Sequence, residues 1–155
     1  SANIGDDPKL RTPMSWTGDA KAGFTTGTPF RALSANVATN NVQAQQQPNA
    51  DSLLNWYRAL IALRKTYPAL MKGTHAGATA SGTTLSFQRV DGNQRAVVMI
   101  NYGTGNALIG ASGLPANAVL TNAFPANDAN ADIDANGSVS VSVPGQSVRV
   151  FVIGN

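Results

Sequence analysis

The residues that could do acid–base or metal chemistry in this sequence are few. The acidic residues are eight aspartates with no glutamate, and the sequence has one histidine, His75, and no cysteine. A catalytic triad or a histidine-based metal site would depend on His75 alone, and the lack of cysteine excludes disulfides and zinc–thiolate sites. We interpret Asp51 as a helix cap, Asp91 as a turn residue and His75 as a structural or surface residue.

One acidic stretch resembles the start of a calcium-binding loop. Asp132-x-Asp134-x-Asn136-Gly137 has the spacing of the opening of an EF-hand. The twelfth position of that loop would be Val143, where a bidentate glutamate is needed, and the flanking segments have strand rather than helix patterns. We therefore predict that these residues form a turn, and we assign no metal ligand in this chain.

The segment RTPMSWTGDAKAGFTTGTPF, residues 11–30, concentrates glycine, proline and large aromatic residues without a helical or strand period. Aromatic faces stack on sugar rings, and Arg11 with the nearby Asp6 and Asp7 could hydrogen-bond hydroxyl groups. The same side chains could instead pack the loop onto a scaffold. The candidate substrate-binding residues are Arg11, Trp16 and Phe24.

The segment DSLLNWYRALIALRKTY, residues 51–67, is the clearest predicted helix. Asp51 or Ser52 can cap its start, and Pro68 ends it because the residue before proline disfavours helical geometry. One face of this helix is apolar at helical spacing. Its members are Leu53, Tyr57, Leu60 and Ile61. A helix with so many apolar side chains is expected to pack against a large apolar surface of another element.

From Gly73 onward the apolar period is two, which is typical of strands. TTLSFQRV alternates Leu85 and Phe87 with Ser86 and Gln88, DGN predicts a hairpin turn, and RAVVMINY predicts the returning strand. AVLTNAF predicts a short strand, and DANGSVSVSVPGQSVRVFVIGN predicts a second hairpin. Together these segments predict an antiparallel sandwich of about 80 residues.

Composition limits the classes of partner. The net charge is +3, only 12% of residues are charged, and the basic residues are scattered, so neither a nucleic-acid nor a membrane-surface patch is expected. No apolar run has the roughly 18 residues that span a bilayer. The first residues also lack the pattern of a signal peptide. A surface rich in Ala, Asn, Thr and Ser favours a secreted or periplasmic location.

Four stretches resemble the α-amylase family of glycoside hydrolases, family 13: GDDPKLRTPMSW, AGFTTGTPF, NNVQAQ and SLLNWYRALIALRKTYPAL. The similarity is greatest to the branch that holds α-glucosidases, oligo-1,6-glucosidases, trehalose synthases and intermediate α-amylases. The later stretches TTLSFQRVDGNQRAVVMINYG and GSVSVSVPGQSVRVFVIG resemble strands of that family's C-terminal β-sandwich, which is called domain C. The resemblance therefore covers nearly the whole chain.

This resemblance implies a mainly β fold, with an antiparallel β-sandwich (domain C) at residues 73–155 after the end of a (β/α)8 barrel at residues 1–72. Residues 1–50 would be the loop after the eighth barrel strand, and residues 51–67 the last barrel helix. A barrel needs about 250 residues. The rest of it, with the carboxylates of this retaining family, is therefore expected upstream of Ser1. No catalytic residue is assigned here, and the chain alone is expected to be an inactive part of an enzyme.

The implied partners are the upstream barrel polypeptide and an α-glucan bound by the whole enzyme. No cofactor is expected within these residues, and calcium, where the enzyme needs it, would bind upstream. Family members that act on short oligosaccharides commonly carry an Arg-Asp pair shortly before RTPM, where this sequence has Asp7 and Pro8. That departure favours an α-amylase acting on starch or maltodextrin. The alternatives are an α-glucosidase, trehalose synthase or transglycosylase of the same family, and a non-catalytic glucan-binding or structural sandwich.

Overall fold

The computed structural model describes residues 10–48 and 50–154. Backbone contacts divide the chain into two compact units, Ser1–Leu60 and Ile61–Asn155. The boundary expected between residues 72 and 73 stays a prediction, because it was drawn from a family resemblance and not from chain contacts.

The described residues contain the helices α1 (Val42–Gln45), α2 (Leu53–Thr66) and α3 (Pro68–Lys72). α2 corresponds to the predicted helix at residues 51–67, and it is shorter by two residues at its start and by one at its end. Within the described residues, no helix combines the length and the apolarity needed to cross a bilayer.

Ser52 is the residue that caps α2. Its Oγ accepts a hydrogen bond from the Asn55 backbone N–H at 3.2 Å, which satisfies one of the free donors of the first turn. Asp51 has a different role, because its Oδ1 accepts from Trp56 Nε1 at 3.1 Å. Pro68 occupies the first position of α3, so the two helices are separate although only one residue lies between them.

The apolar face predicted for α2 is exposed. No residue of α2 is buried among the described residues. The exposed large side chains on this face are Leu53, Tyr57, Leu60 and Ile61. These four side chains form a continuous apolar stripe that is open to water. Such a stripe is typical of a helix that packs against another element.

The second unit contains the predicted antiparallel β-sandwich. Its strands are β1 (Thr74–Ser81), β2 (Thr84–Asp91), β3 (Gln94–Asn101), β4 (Ala107–Ala111), β5 (Val119–Phe124), β6 (Ala131–Asp132), β7 (Val139–Val143) and β8 (Ser147–Ile153). One sheet has the order β1-β2-β3-β8-β5-β6, and the other pairs β4 with β7. All of these pairings are antiparallel.

The main core lies between the two sheets. The larger sheet contributes Val97, Met99, Leu120 and Phe151, and the smaller sheet contributes Ile109, Val139, Val141 and Val143. A second, smaller cluster lies on the other face of β3 and β8, where Ala69 of α3 packs against Ala96 and Val152. The Ala69 backbone N–H donates to Gln94 Oε1 at 2.9 Å, which fixes α3 to the sheet.

β2 buries its polar face more fully than the apolar face with Leu85 and Phe87. Its alternation is as predicted, but Ser86 and Gln88 are buried while Leu85 and Phe87 are only half-buried. The physical reason is hydrogen bonding, since Ser86 Oγ donates to the Gly110 carbonyl and Gln88 Nε2 to the Ser112 carbonyl, both at 2.7 Å. A buried polar side chain is tolerated when its hydrogen bonds are made.

The predicted second hairpin is wrong. β7 and β8 follow each other in the chain, but β7 pairs with β4 and β8 pairs with β3 and β5. Val141 and Phe151 both lie in the core between the sheets, so the two strands face each other across it and do not lie side by side. The connection turns sharply at Gly145, where a Cβ atom would lie 2.2 Å from the Thr104 carbonyl oxygen.

Three strands, β1, β4 and β6, were not predicted. β6 has only two residues, and its Asp132 belongs to the acidic stretch that was predicted to form a turn. β1, with the sequence THAGATAS, is exposed at every residue, so it has no alternation of apolar and polar positions to reveal it. It pairs with β2 through an irregular register between Ala76 and Thr79. β4, with the sequence ALIGA, is short and contains Gly110, which weakens a strand pattern.

Candidate functional site

The predicted substrate loop is held by backbone hydrogen bonds to the start of α1. The Val42 N–H donates to the Ser15 carbonyl and the Gln43 N–H to the Trp16 carbonyl, both at 2.9 Å. These two bonds satisfy donors at a helix N-terminus and fix the backbone around Trp16. The loop therefore has a defined path although no strand supports it.

A tight turn follows Trp16. The N–H groups of Trp16 and Thr17 both donate to the Ala22 carbonyl, at 2.8 and 3.1 Å. Ala22 and Gly23 have φ values of 54° and 63°, in the left-handed region that favours glycine. Because Phe24 follows directly, the turn places Trp16 and Phe24 at the same part of the loop.

The aromatic side chains of this turn are partly open to solvent. Trp16 is 49% exposed and Phe24 is 39% exposed. Phe24 also contacts the ring of Phe30, with 5.9 Å between centroids and 50° between planes. Exposed aromatic surface held on a fixed turn suits stacking on a sugar ring.

Of the polar residues predicted beside these aromatics, Arg11 is exposed and lies five positions before Trp16. Asp6 and Asp7, the acids expected near Arg11, lie outside the described residues. The structure thus bonds the Trp16 backbone to Ala22, two residues before Phe24. The substrate-binding role of Arg11, Trp16 and Phe24 stays a prediction.

The described carboxylates of the first unit serve local structure. Asp19 Oδ2 accepts from Thr17 Oγ1 at 2.8 Å, and Asp51 accepts from Trp56. A retaining glycosidase needs two carboxyl groups about 5–5.5 Å apart on either side of the scissile bond.

Asn41 is a residue that the sequence analysis missed. It is buried, its Nδ2 donates to the Val37 carbonyl, and its Oδ1 accepts from the Ala44 N–H, each at 2.9 Å. It therefore caps α1, the helix to which the loop is bonded. An asparagine directly before a short helix is a recognisable start signal, but α1 is too short to show a helical period.

The acidic stretch before β7 forms the predicted turn only from Asp134 onward, because Asp132 lies in β6 and pairs with Val119. Asp134 Oδ1 accepts from the backbone N–H groups of Asn136 and Ser138, both at 2.8 Å. No group of three or more potential metal-ligating acids or histidines was found within the described part of the chain. His75 is exposed on β1, with its ring 5.3 Å from that of Phe87.

The chain has relatives among enzymes that act on glucosides. The family profile described as the catalytic domain of alpha amylase matches residues 1–73. The probable oligo-1,6-glucosidase 2 of Bacillus subtilis is 48% identical over 64 residues, which are 41% of this chain and 11% of that protein. The trehalose synthase/amylase TreS of Mycolicibacterium smegmatis is 41% identical over 78 residues, which are 46% of this chain and 13% of that protein.

The fold has solved counterparts. The crystal structure of an isomaltulose synthase from Klebsiella sp. LX3 superimposes with a TM-score of 0.69 and 28% identity, over 92% of this chain and 25% of that one. The chain therefore spans about a quarter or less of the length of these relatives. Residues 1–73 are therefore similar in sequence to the alpha-amylase catalytic domain, and the chain is similar in fold to a solved isomaltulose synthase.

Proposed function

We propose that this chain supplies the last barrel loop, the last barrel helix and domain C of a retaining α-glucosidase-type enzyme that acts on short α-glucosides. The observation that supports this proposal most directly is the 48% identity to a probable oligo-1,6-glucosidase over 64 residues. It revises the expectation of a starch-acting α-amylase. That expectation depended on Asp7 and Pro8, a single dipeptide, whereas the similarity depends on many positions.

Within such an enzyme, the loop would line the substrate site. Active sites of (β/α)8 barrels are formed by the loops at the C-terminal ends of the strands. Trp16 and Phe24 would stack on a sugar ring, and Arg11 would donate hydrogen bonds to hydroxyl groups. The exposed apolar face of α2 would pack against the rest of the barrel. The catalytic carboxylates would belong to that part of the enzyme, so the chain alone would be inactive.

A hydrolysis assay tests the proposal. The full-length polypeptide that carries this sequence is incubated with isomaltose, maltose and soluble starch, and both glucose and new reducing ends are measured. We expect the two disaccharides to be hydrolysed and starch to be a poor substrate. Rapid hydrolysis of starch with no activity on either disaccharide would restore the α-amylase alternative.

The synthases among the relatives favour a second candidate, transfer of a glucosyl group to a sugar instead of water. A retaining mechanism permits both outcomes, because the glycosyl-enzyme intermediate is attacked by whichever acceptor is bound. Product analysis with sucrose and maltose as substrates separates the two. Isomeric disaccharides would indicate transfer, whereas glucose alone from maltose and equal amounts of glucose and fructose from sucrose would indicate hydrolysis.

A further inference from the structure

The β-sandwich carries a groove with an unassigned role. It has a volume of about 330 Å3 and lies where the β1–β2 edge of the larger sheet meets β4 of the smaller sheet. This volume is at the lower end of the roughly 300–1,000 Å3 of small-molecule sites. Leu108 to Ala111 form one wall, and Thr79, Ser81 and Thr84 form the other.

The groove is lined by hydroxyl groups that the protein does not use. Among the described residues, the side-chain hydroxyls of Thr79, Ser81, Ser112 and Ser138 make no hydrogen bond within the chain. Ser86, deeper in the wall, is different, because its Oγ donates to the Gly110 carbonyl at 2.7 Å. The inner wall is thus fixed, while several donors and acceptors at the rim are available to a ligand.

The rest of the lining is apolar and uncharged. Leu108 is 73% exposed, and the largely buried side chains of Ile109 and Val139 also line the groove. No charged side chain lines the groove in the described part of the chain. A phosphate, a carboxylate or a metal ion would find no counter-charge here, whereas a ligand with both hydroxyl groups and C–H faces matches both kinds of surface.

We propose that this groove is a non-catalytic binding site for a neutral oligosaccharide, a short stretch of α-glucan. The identification of the sugar as an α-glucan rests on the proposed function, whereas the neutral polyhydroxyl chemistry rests on the groove itself. The sugar hydroxyls bond to Thr79, Ser81 and Ser112, and a C–H face of the sugar packs on Leu108. The site would hold a glucan chain on the sandwich.

The test is a binding titration that does not require catalysis. The 155-residue chain, labelled with 15N, is titrated with maltotriose and separately with isomaltotriose, and backbone amide shifts are followed by NMR. We expect saturable shifts confined to residues 79–86, 108–112 and 138–139. The double variant Thr79→Val/Ser81→Ala removes two hydroxyls and keeps the size of the side chains. It should raise Kd by about tenfold, the loss expected for two neutral hydrogen bonds.

A matched control removes two hydroxyls elsewhere. Thr104, before β4, and Thr121, on β5, are exposed and do not line the groove. Thr104→Val/Thr121→Val should leave Kd unchanged. The proposal is overturned if neither sugar gives saturable shifts, if the shifts fall outside the groove, or if both double variants bind like the parent chain. A peptide that shifts the same amides where sugars do not would indicate strand addition at the β4 edge instead. Since binding alone is measured, failure here leaves the hydrolysis proposal untouched.

Discussion

The buried Gln88 of β2 is hydrogen-bonded to the half-buried Arg95 of β3. Gln88, which is 2% exposed, accepts from Arg95 Nη1 at 2.6 Å through its Oε1. Arg95 Nη1 also donates to the Gly113 carbonyl at 2.6 Å, and Gln88 Nε2 donates to the Ser112 carbonyl. Neighbouring side chains of β2 and β3 therefore fix the chain where it leaves β4.

This contact predicts that Gln88→Leu destabilises the sandwich by about 2–3 kcal/mol, because the Ser112 carbonyl loses its side-chain donor and Arg95 loses an acceptor. Urea unfolding followed by circular dichroism measures the change. Ser140→Ala, on the exposed face of β7, is the control and should change the free energy of unfolding by less than about 0.5 kcal/mol. Equal stability of the Gln88 variant and the parent chain would contradict the prediction.

Asn101 makes a second polar link. Its Nδ2 donates to the carbonyls of Gly105, Val143 and Pro144 at 2.8, 3.0 and 3.1 Å, which ties β3 to the end of β7. We expect Asn101→Ala to reduce the free energy of unfolding by about 3 kcal/mol. Asn101→Asp should cost at least as much, since a carboxylate would face three carbonyl oxygens. Thermal unfolding of both variants checks the order, and an Asp variant more stable than the Ala variant would refute it.

The exposed apolar face of α2 predicts binding of a hydrophobic dye. ANS fluorescence should rise with the 155-residue chain and fall when Ile61→Asp interrupts the apolar stripe. Because Ile61 is exposed, the stability of the chain should change by less than about 1 kcal/mol. Ala59→Asp adds the same charge on another face of the helix and should leave the ANS signal high. If both variants lower the signal equally, the dye does not bind this face.

Ile61→Asp has a further expected effect in the full-length enzyme. If this face packs against the barrel, a buried unpaired carboxylate there should cost several kcal/mol. Soluble yield and activity should then fall for Ile61→Asp and stay near normal for Ala59→Asp. Normal yield and activity of both variants would argue against packing of this face.

Gly23 is expected to be required for the turn after Trp16. A Cβ atom there would lie 3.1 Å from Thr17 Oγ1, and its φ of +63° is unfavourable for other residues. Gly23→Ala should destabilise the turn by about 1–2 kcal/mol. Amide hydrogen exchange at Trp16 and Thr17 should then be faster. Gly27→Ala is the control, since its nearest neighbour atom is 3.8 Å from the added Cβ. Unchanged exchange in the Gly23 variant would show that the turn tolerates a side chain.

Trp16 provides the test of substrate contact. In the full-length enzyme, Trp16→Ala should raise KM by about tenfold with little change in kcat, the result expected when a stacking contact contributes equally to ground-state and transition-state binding. Steady-state kinetics with isomaltose measure both constants. Val119→Ala, at an exposed position of β5, should leave both constants unchanged. A normal KM for the Trp16 variant would assign the ring to loop packing alone.

Elements with a local apolar period could be predicted from the sequence. α2 shows helical spacing and is followed by a proline, and β3 and β8 show runs of apolar residues. These signals lie within each element, so the elements can be predicted from the local sequence. β1 could not be predicted, because all of its side chains are exposed and it is a strand only through pairing with β2.

The candidate site was predicted to a similar extent. The aromatic loop was predicted from its residue types, because large aromatic side chains in a segment without helical or strand period indicate a binding or packing role. That Trp16 and Phe24 share one turn depends on the bonds to the Ala22 carbonyl, which sequence spacing does not reveal. The cap at Asn41 was missed because four helical residues are too few to show a period.

The sequence by itself determined the class of the fold, the helix α2, most strands of the sandwich and the resemblance to a family. These features depend on periodicity and on short motifs, which are properties of neighbouring residues. Only the tertiary structure decided that β2 buries Ser86 and Gln88 and that β7 and β8 belong to different sheets. The reason is that Gln88 is bonded to a carbonyl 24 residues away in the sequence, that of Ser112. Folding alone brings such partners within hydrogen-bonding distance.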